Sequence, residues 1–212
     1  MHIPDGFLTG EAAALGTAIA IAGVAVCLRQ AKKTTRERDL PVAGLAAAFF
    51  VVGDAPLVPL GVGTQAHLLG GALAVALLGP WLGGLTITVV CLIQALVLGD
   101  GGITTLGLTI TNLALIPAFI GYPILTALRR VIPLPVAAGI TAAICVMLAA
   151  ALFTFEVTVG AATGIDHRTI AATTLGSYAV VAVIEGVLTA LIVKGLLALR
   201  PDLLRSRKRA TA

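Results

Sequence analysis

The amino-acid sequence predicts an all-α membrane protein, a bundle of about seven transmembrane helices. Of its 212 residues, 58% are hydrophobic and only 11% are charged, whereas a water-soluble domain carries roughly 25% charged residues. Mean hydropathy is +1.07. The apolar residues fall into long runs marked off by Pro, Gly and charge, and about 20 such residues cross a bilayer as a helix. Aromatic residues make up 4% of the chain while Ala and Gly abound, a composition that lets membrane helices approach closely.

The first segment, Thr9 to Leu28, is followed by the basic stretch Arg29–Asp39, which positive-inside bias assigns to the cytoplasm. The N-terminus is therefore expected outside. No basic n-region precedes this segment, and Asp5 sits where a signal peptide would carry Lys or Arg, so the first span is expected to act as the insertion signal. A second segment covers Pro41 to Val52 and runs into the Gly/Pro-rich stretch 53–65, which excludes a regular helix. The third begins near Ala66-His67 and stops at Gly79-Pro80, short of a full crossing. The fourth spans Trp81 to Leu98, the fifth Thr104 to Leu128, the sixth Leu134 to Phe155 and the seventh Thr169 to Leu199. Seven crossings place Arg29–Asp39, Arg129-Arg130 and the basic tail inside, and Asp5, Glu11, Asp54, Asp100, Glu156 and Asp166 outside, with Arg168 as the outer cation. The chain reads as one polytopic domain: a terminal segment 1–8, a bundle 9–199 and a cytoplasmic tail 200–212. The net charge of +4 is concentrated in these short segments, so it reports topology rather than nucleic-acid binding.

The terminal octapeptide Met1-His2-Ile3-Pro4-Asp5-Gly6-Phe7-Leu8 is a candidate chelator. The α-amine of Met1, the backbone nitrogen of His2 and its imidazole Nδ1 can close fused five- and six-membered rings on one metal. Such an all-nitrogen planar set suits Cu²⁺ or Ni²⁺ and, less readily, Co²⁺. A formyl or acetyl group on Met1 would abolish the first donor; the plainer reading of His2 is a solvated terminus. His67 follows irregular backbone at membrane depth, where an ionisable side chain marks either a functional site or an interfacial His bonded to a carbonyl. One imidazole is what the terminal set lacks. Gly63, Gly70 and Gly71 leave room for backbone to pass, and Thr64 and Gln65 are candidates to hydrogen-bond an inserted terminus.

Glu185, inside the seventh segment, reads either as a proton or ion relay or as a structural acid bonded to Asn112 or Thr111. Gln94 and Asn112 read as helix glue. Asp100-Gly101-Gly102 reads as a tight turn, and His167 belongs to a solvated loop. Cys27, Cys91 and Cys145 are isolated within apolar runs and read as small core residues. No Walker A loop, Gly-x-Ser-x-Gly, His-Glu-x-x-His or clustered zinc set is present, so an enzyme is not expected.

In the octapeptide and in Gly63-Thr64-Gln65-Ala66-His67-Leu68-Leu69-Gly70-Gly71, the chain resembles the substrate-binding membrane subunit (CbiM/NikM type) of energy-coupling-factor cobalt and nickel transporters. Supporting segments are Leu78-Gly79-Pro80-Trp81, Gln94-Ala95-Leu96, Gly99-Asp100-Gly101-Gly102 and Glu185-Gly186-Val187-Leu188-Thr189-Ala190. The resemblance implies an N-terminal strand inserted into the bundle from the outer side. It also implies a metal held by Met1 (amine), His2 (amide and imidazole) and His67. The implied partners are a coupling transmembrane subunit, cytoplasmic ATP-binding subunits and a small accessory membrane subunit. The implied setting is the prokaryotic plasma membrane. Where the family commonly shows Asn and Ser-Gly ahead of the His, this chain has Leu57 and Gln65-Ala66, so nickel-versus-cobalt preference stays open, as does the part played by Asp54. The rival reading is a proton-coupled secondary metal-ion transporter using Glu185. In neither reading is there a resident cofactor; Ni²⁺ or Co²⁺ is the cargo.

Overall fold

A computed structural model describes residues 2–53, 69–162 and 166–200, together with the backbone of 58–59 and 65–66. The described residues form helices α1 (Gly10–Thr34), α2 (Leu40–Gly53), α3 (Gly71–Leu98), α4 (Leu106–Leu128), α5 (Leu134–Gly160) and α6 (His167–Leu199). Five of these, all but α2, are long and apolar enough to cross a membrane. The 14 residues of α2 rise only about 21 Å.

Helix boundaries overrun the apolar segments. α1 continues to Thr34 because Arg29, Gln30, Ala31, Lys32 and Lys33 are good helix formers, and the helix does not end where the lipid does. α5 likewise carries Glu156 within its last turns. The break expected at Gly79-Pro80 is a sharp reversal inside α3. Gly79 takes φ 77, ψ 174, and Pro80 follows. A Cβ on Gly83 would stand 2.8 Å from the Val75 Cα, although eight residues of straight helix span about 12 Å. The arm Gly71–Leu78 therefore folds back on the rest of α3. In α4, π-turns at Thr111–Leu115 and Pro117–Gly121 flank Pro117, which has no N–H to donate to the helical ladder.

Small residues set the packing. Gly139 of α5 and Gly186 of α6 face each other so closely that a Cβ on either would lie within 2.9 Å of the other's carbonyl oxygen, the small-residue seam of membrane helices. Ala74, Ala114, Ala137, Ala142 and Ala150 are buried in the core, as are all three cysteines. Large apolar side chains such as Leu15, Ile21, Leu45, Val97, Val159 and Val183 point outward. An apolar surface of that kind matches lipid.

Two ends of the bundle can be told apart. At one, the segment before α1 meets the α3–α4 turn and the end of α5 through Gly102 N–H to Ile3 O and Thr9 N–H to Gly160 O. At the other, Thr34, Arg36 and Asp39 line a cavity of about 390 Å³ with Pro80, Trp81, Phe119 and Tyr122.

Candidate metal centre

The terminal segment is built into the bundle. Pro4-Asp5-Gly6-Phe7 forms a turn closed by Phe7 N–H to Pro4 O at 3.4 Å, with Gly6 at φ 79 in the position that favours Gly. Beyond the turn, Leu8 makes an antiparallel bridge to Ala161, and Ala162 N–H donates to Phe7 O at 3.1 Å. Before it, Ile3 is fully buried and packs with Leu8 and Leu108. Burying such a side chain away from water is worth about 1.5–3 kcal/mol. The Ile3 carbonyl accepts from Gly102 N–H at 2.9 Å and from the Thr105 hydroxyl.

Asp5 completes the grip. Its carboxylate accepts from Ile103 N–H at 3.1 Å, Thr104 N–H at 2.8 Å and the Thr104 hydroxyl. The Thr104 hydroxyl first, then the two backbone N–H groups, hold the Asp5 carboxyl below its ordinary range, because each donor favours the ionised form. Depression of the folded-state pKa means that this grip is complete above the ordinary Asp range and is lost only as pH falls through the lowered value.

These contacts fix His2 against the α3–α4 turn. Its side chain is 7% exposed, and Nε2 lies 3.7 Å from Asp100 Oδ2. Gly101, at φ 92, passes so close that a Cβ there would be 3.0 Å from His2 Nδ1. Asp100-Gly101-Gly102 lies in the connection between α3 and α4, bent at Gly101, and its side facing the terminus is occupied by His2 and Asp5.

Met1 and His67 lie outside the described residues, as do Asp54, Leu57 and Thr64; only the backbone of Gln65 is described. The described chain resumes on either side of position 67. Just before it, Gln65–Ala66 pairs antiparallel with Val58–Pro59 against α6. Just after it, Leu69 N–H and Gly70 N–H donate to the two oxygens of Glu185 at 2.8 and 3.0 Å. Glu185 is 3% exposed and supplies, from another helix, the anionic cap that the N-terminus of the α3 arm lacks locally. Gly71 leans on Leu113 O of α4, five residues beyond the Leu108 that packs on Ile3. That separation corresponds to about 7.5 Å along the helix axis, so α4 is contacted by both the terminal segment and the start of α3.

The expected bond from Glu185 to Asn112 or Thr111 is not formed. Glu185 faces the start of α3, Asn112 Nδ2 donates to Glu156 at 2.8 Å, and the Thr111 hydroxyl donates within its own helix to Gly107 O. His167 is exposed, as expected, but it opens α6 behind an Asp166 cap. Among the described residues, no three His, Cys, Asp or Glu side chains converge on one point. The sequence reading missed Gly102, Thr104 and Thr105 as the residues that hold the terminus; the only signal for them was the Gly-rich turn itself.

The chain is similar to known transport proteins along its whole length. It is 38% identical over 206 residues to a Haloquadratum walsbyi protein named for metal transport, covering 96% of this chain and 93% of that one. It is 35% identical over 210 residues to an Archaeoglobus fulgidus protein named as a fused nickel transport protein NikMN, covering 98% of this chain and 69% of that one. A crystal structure described as a transition metal transporter superposes with a TM-score of 0.88 at 26% identity, covering 100% of both chains. The sequence profile described as the cobalt uptake substrate-specific transmembrane region matches residues 2–203, and the chain belongs to that family, CbiM.

Proposed function

We propose that this chain is the substrate-capture membrane subunit of an ATP-driven energy-coupling-factor importer of Ni²⁺ or Co²⁺. The metal is held by four nitrogens: the Met1 amine, the His2 amide, His2 Nδ1 and the His67 imidazole. The observation that carries the reading is the clasp on residues 2–8. A terminus meant only to start a helix has no use for a buried Ile3, a gripped Asp5 and a His2 imidazole held at 7% exposure. Relatives named for cobalt and nickel transport support the cargo.

In this reading the bundle comprises seven membrane segments, with α2 and the two arms of α3 counted among them and the terminal strand inserted from the outer side. The end carrying Arg29, Lys32, Lys33, Arg36 and Arg38 is cytoplasmic, and the chelating end is outside. Capture weakens as pH falls, because amine, amide and imidazole all bind metal deprotonated. Three of the four donors ride on residues 1 and 2, so release requires that segment to leave its seat. A coupling membrane subunit and cytoplasmic ATPases supply the work, with a small accessory membrane subunit alongside.

Reconstitution tests this against the proton-coupled rival. Vesicles holding the chain with its coupling and ATP-binding subunits are expected to accumulate Ni²⁺ or Co²⁺ only when ATP is present. Uptake by this chain alone under a proton gradient would overturn the proposal. The position of Glu185, bonded through both oxygens to backbone N–H groups, supports the structural role for that acid.

A further inference from the structure

We propose that Asp100 is the positioning residue for the His2 imidazole, and that its carboxylate turns the ring so that Nδ1 faces the chelate. This rests on the four-nitrogen reading above and deepens it. In a chelate running from amine to amide to imidazole, only Nδ1 closes a six-membered ring with the His2 amide nitrogen. Nδ1 must present its lone pair, so the ring proton must sit on Nε2. An imidazole offers two ring flips and two tautomers, and the side chain alone does not select the productive combination.

The structure carries the selection. His2 Nε2 lies 3.7 Å from Asp100 Oδ2, ion-pair range but longer than a hydrogen bond, and in the proposal that separation shortens to an Nε2–H donation when the metal is bound. The opposite edge of the ring, with Nδ1, lies against Gly101, where a Cβ would come within 3.0 Å of it. Gly101 therefore leaves space beside the ligating nitrogen, and Asp100 marks the non-ligating one. Hydrogen bonding of a metal-bound imidazole through its other nitrogen fixes orientation and strengthens the ligand. Asp100 is held for this task because the turn that presents it is tied to the terminus on its far side. Gly102 N–H bonds Ile3 O, and Ile103 and Thr104 bond Asp5. The residue that orients His2 and the residues that seat it thus belong to one loop.

The test compares the native chain, Asp100→Ala and Asp100→Asn, with a fourth chain acetylated at the Met1 amine. Each is titrated with Ni²⁺, and the visible ligand-field band of the bound metal is recorded. Asp100→Ala is expected to weaken binding by about 10- to 100-fold and to shift the band, with the unfolding temperature of the metal-free protein unchanged. Asp100→Asn keeps an oxygen acceptor and is expected to restore both. Native affinity and an unmoved band in Asp100→Ala would overturn the proposal, as would weakened binding with an unmoved band and no recovery in Asp100→Asn. If the acetylated chain binds as the native one does, the four-nitrogen reading itself fails. If the acetylated chain loses binding while Asp100→Ala binds normally, only the role of Asp100 fails.

Discussion

Replacing Gly102 with Ala is expected to lower Ni²⁺ affinity roughly ten- to a hundredfold while leaving the helical bundle folded. A Cβ at this position would stand 2.6 Å from both the backbone nitrogen and Oδ1 of Asp5, and 2.6 Å from the Thr105 hydroxyl. The first of these is backbone, so the conflict is relieved only by moving the terminal segment or the turn. Forced overpacking of this kind costs about 1–3 kcal/mol. Here the displacement also breaks the bond from Gly102 N–H to Ile3 O. The strain falls on the contacts that seat His2 and not on the α5–α6 seam. Titration with Ni²⁺ beside circular dichroism separates the two: unchanged affinity would show that seating the terminus is irrelevant to binding.

Glu185→Leu is expected to destabilise the metal-free protein. The carboxylate accepts from two consecutive buried N–H groups, Leu69 and Gly70, and each left without an acceptor costs about 1–3 kcal/mol. The loss of about 2–6 kcal/mol corresponds to a fall of at least about 4 °C in the unfolding midpoint of a protein this size. The backbone released is the stretch that follows His67, so metal retention should decline as well. Glu185→Gln keeps one carbonyl oxygen and should fall between Leu and native. A thermal scan in detergent showing no change for Glu185→Leu would contradict the capping role. Uptake that survives in Glu185→Gln, with partner subunits present, would weigh against a proton carrier at this position.

The legible and illegible parts of the sequence divide along a physical line. Side-chain chemistry that needs few partners could be read directly. His2 beside a terminal amine is a chelator on paper, long apolar runs are membrane helices, and Gly79-Pro80 is a helix break. Partners supplied by backbone could not be read, because every residue but Pro offers the same N–H. Glu185 was expected to meet a polar side chain such as Asn112 and instead meets the amides of Leu69 and Gly70. Thr104 and Thr105 looked like the start of a membrane segment, but their hydroxyls hold Asp5 and Ile3. Helix ends lie beyond the apolar segments that close at Leu28 and Phe155 for a related reason. Hydropathy reports where lipid ends, and the backbone ladder continues past it to Thr34 and Gly160.

The most direct test of the account is calorimetric titration of Ni²⁺ into the native chain and into the chain acetylated at the Met1 amine, each in two buffers of different ionisation enthalpy. Acetylation keeps every side chain and removes the α-amine from the chelate. The account predicts tight binding with net proton release for the native chain, including the proton displaced from the His2 amide, and collapse of both on acetylation. Equal affinity and equal proton release in the two chains would place the metal elsewhere and contradict it.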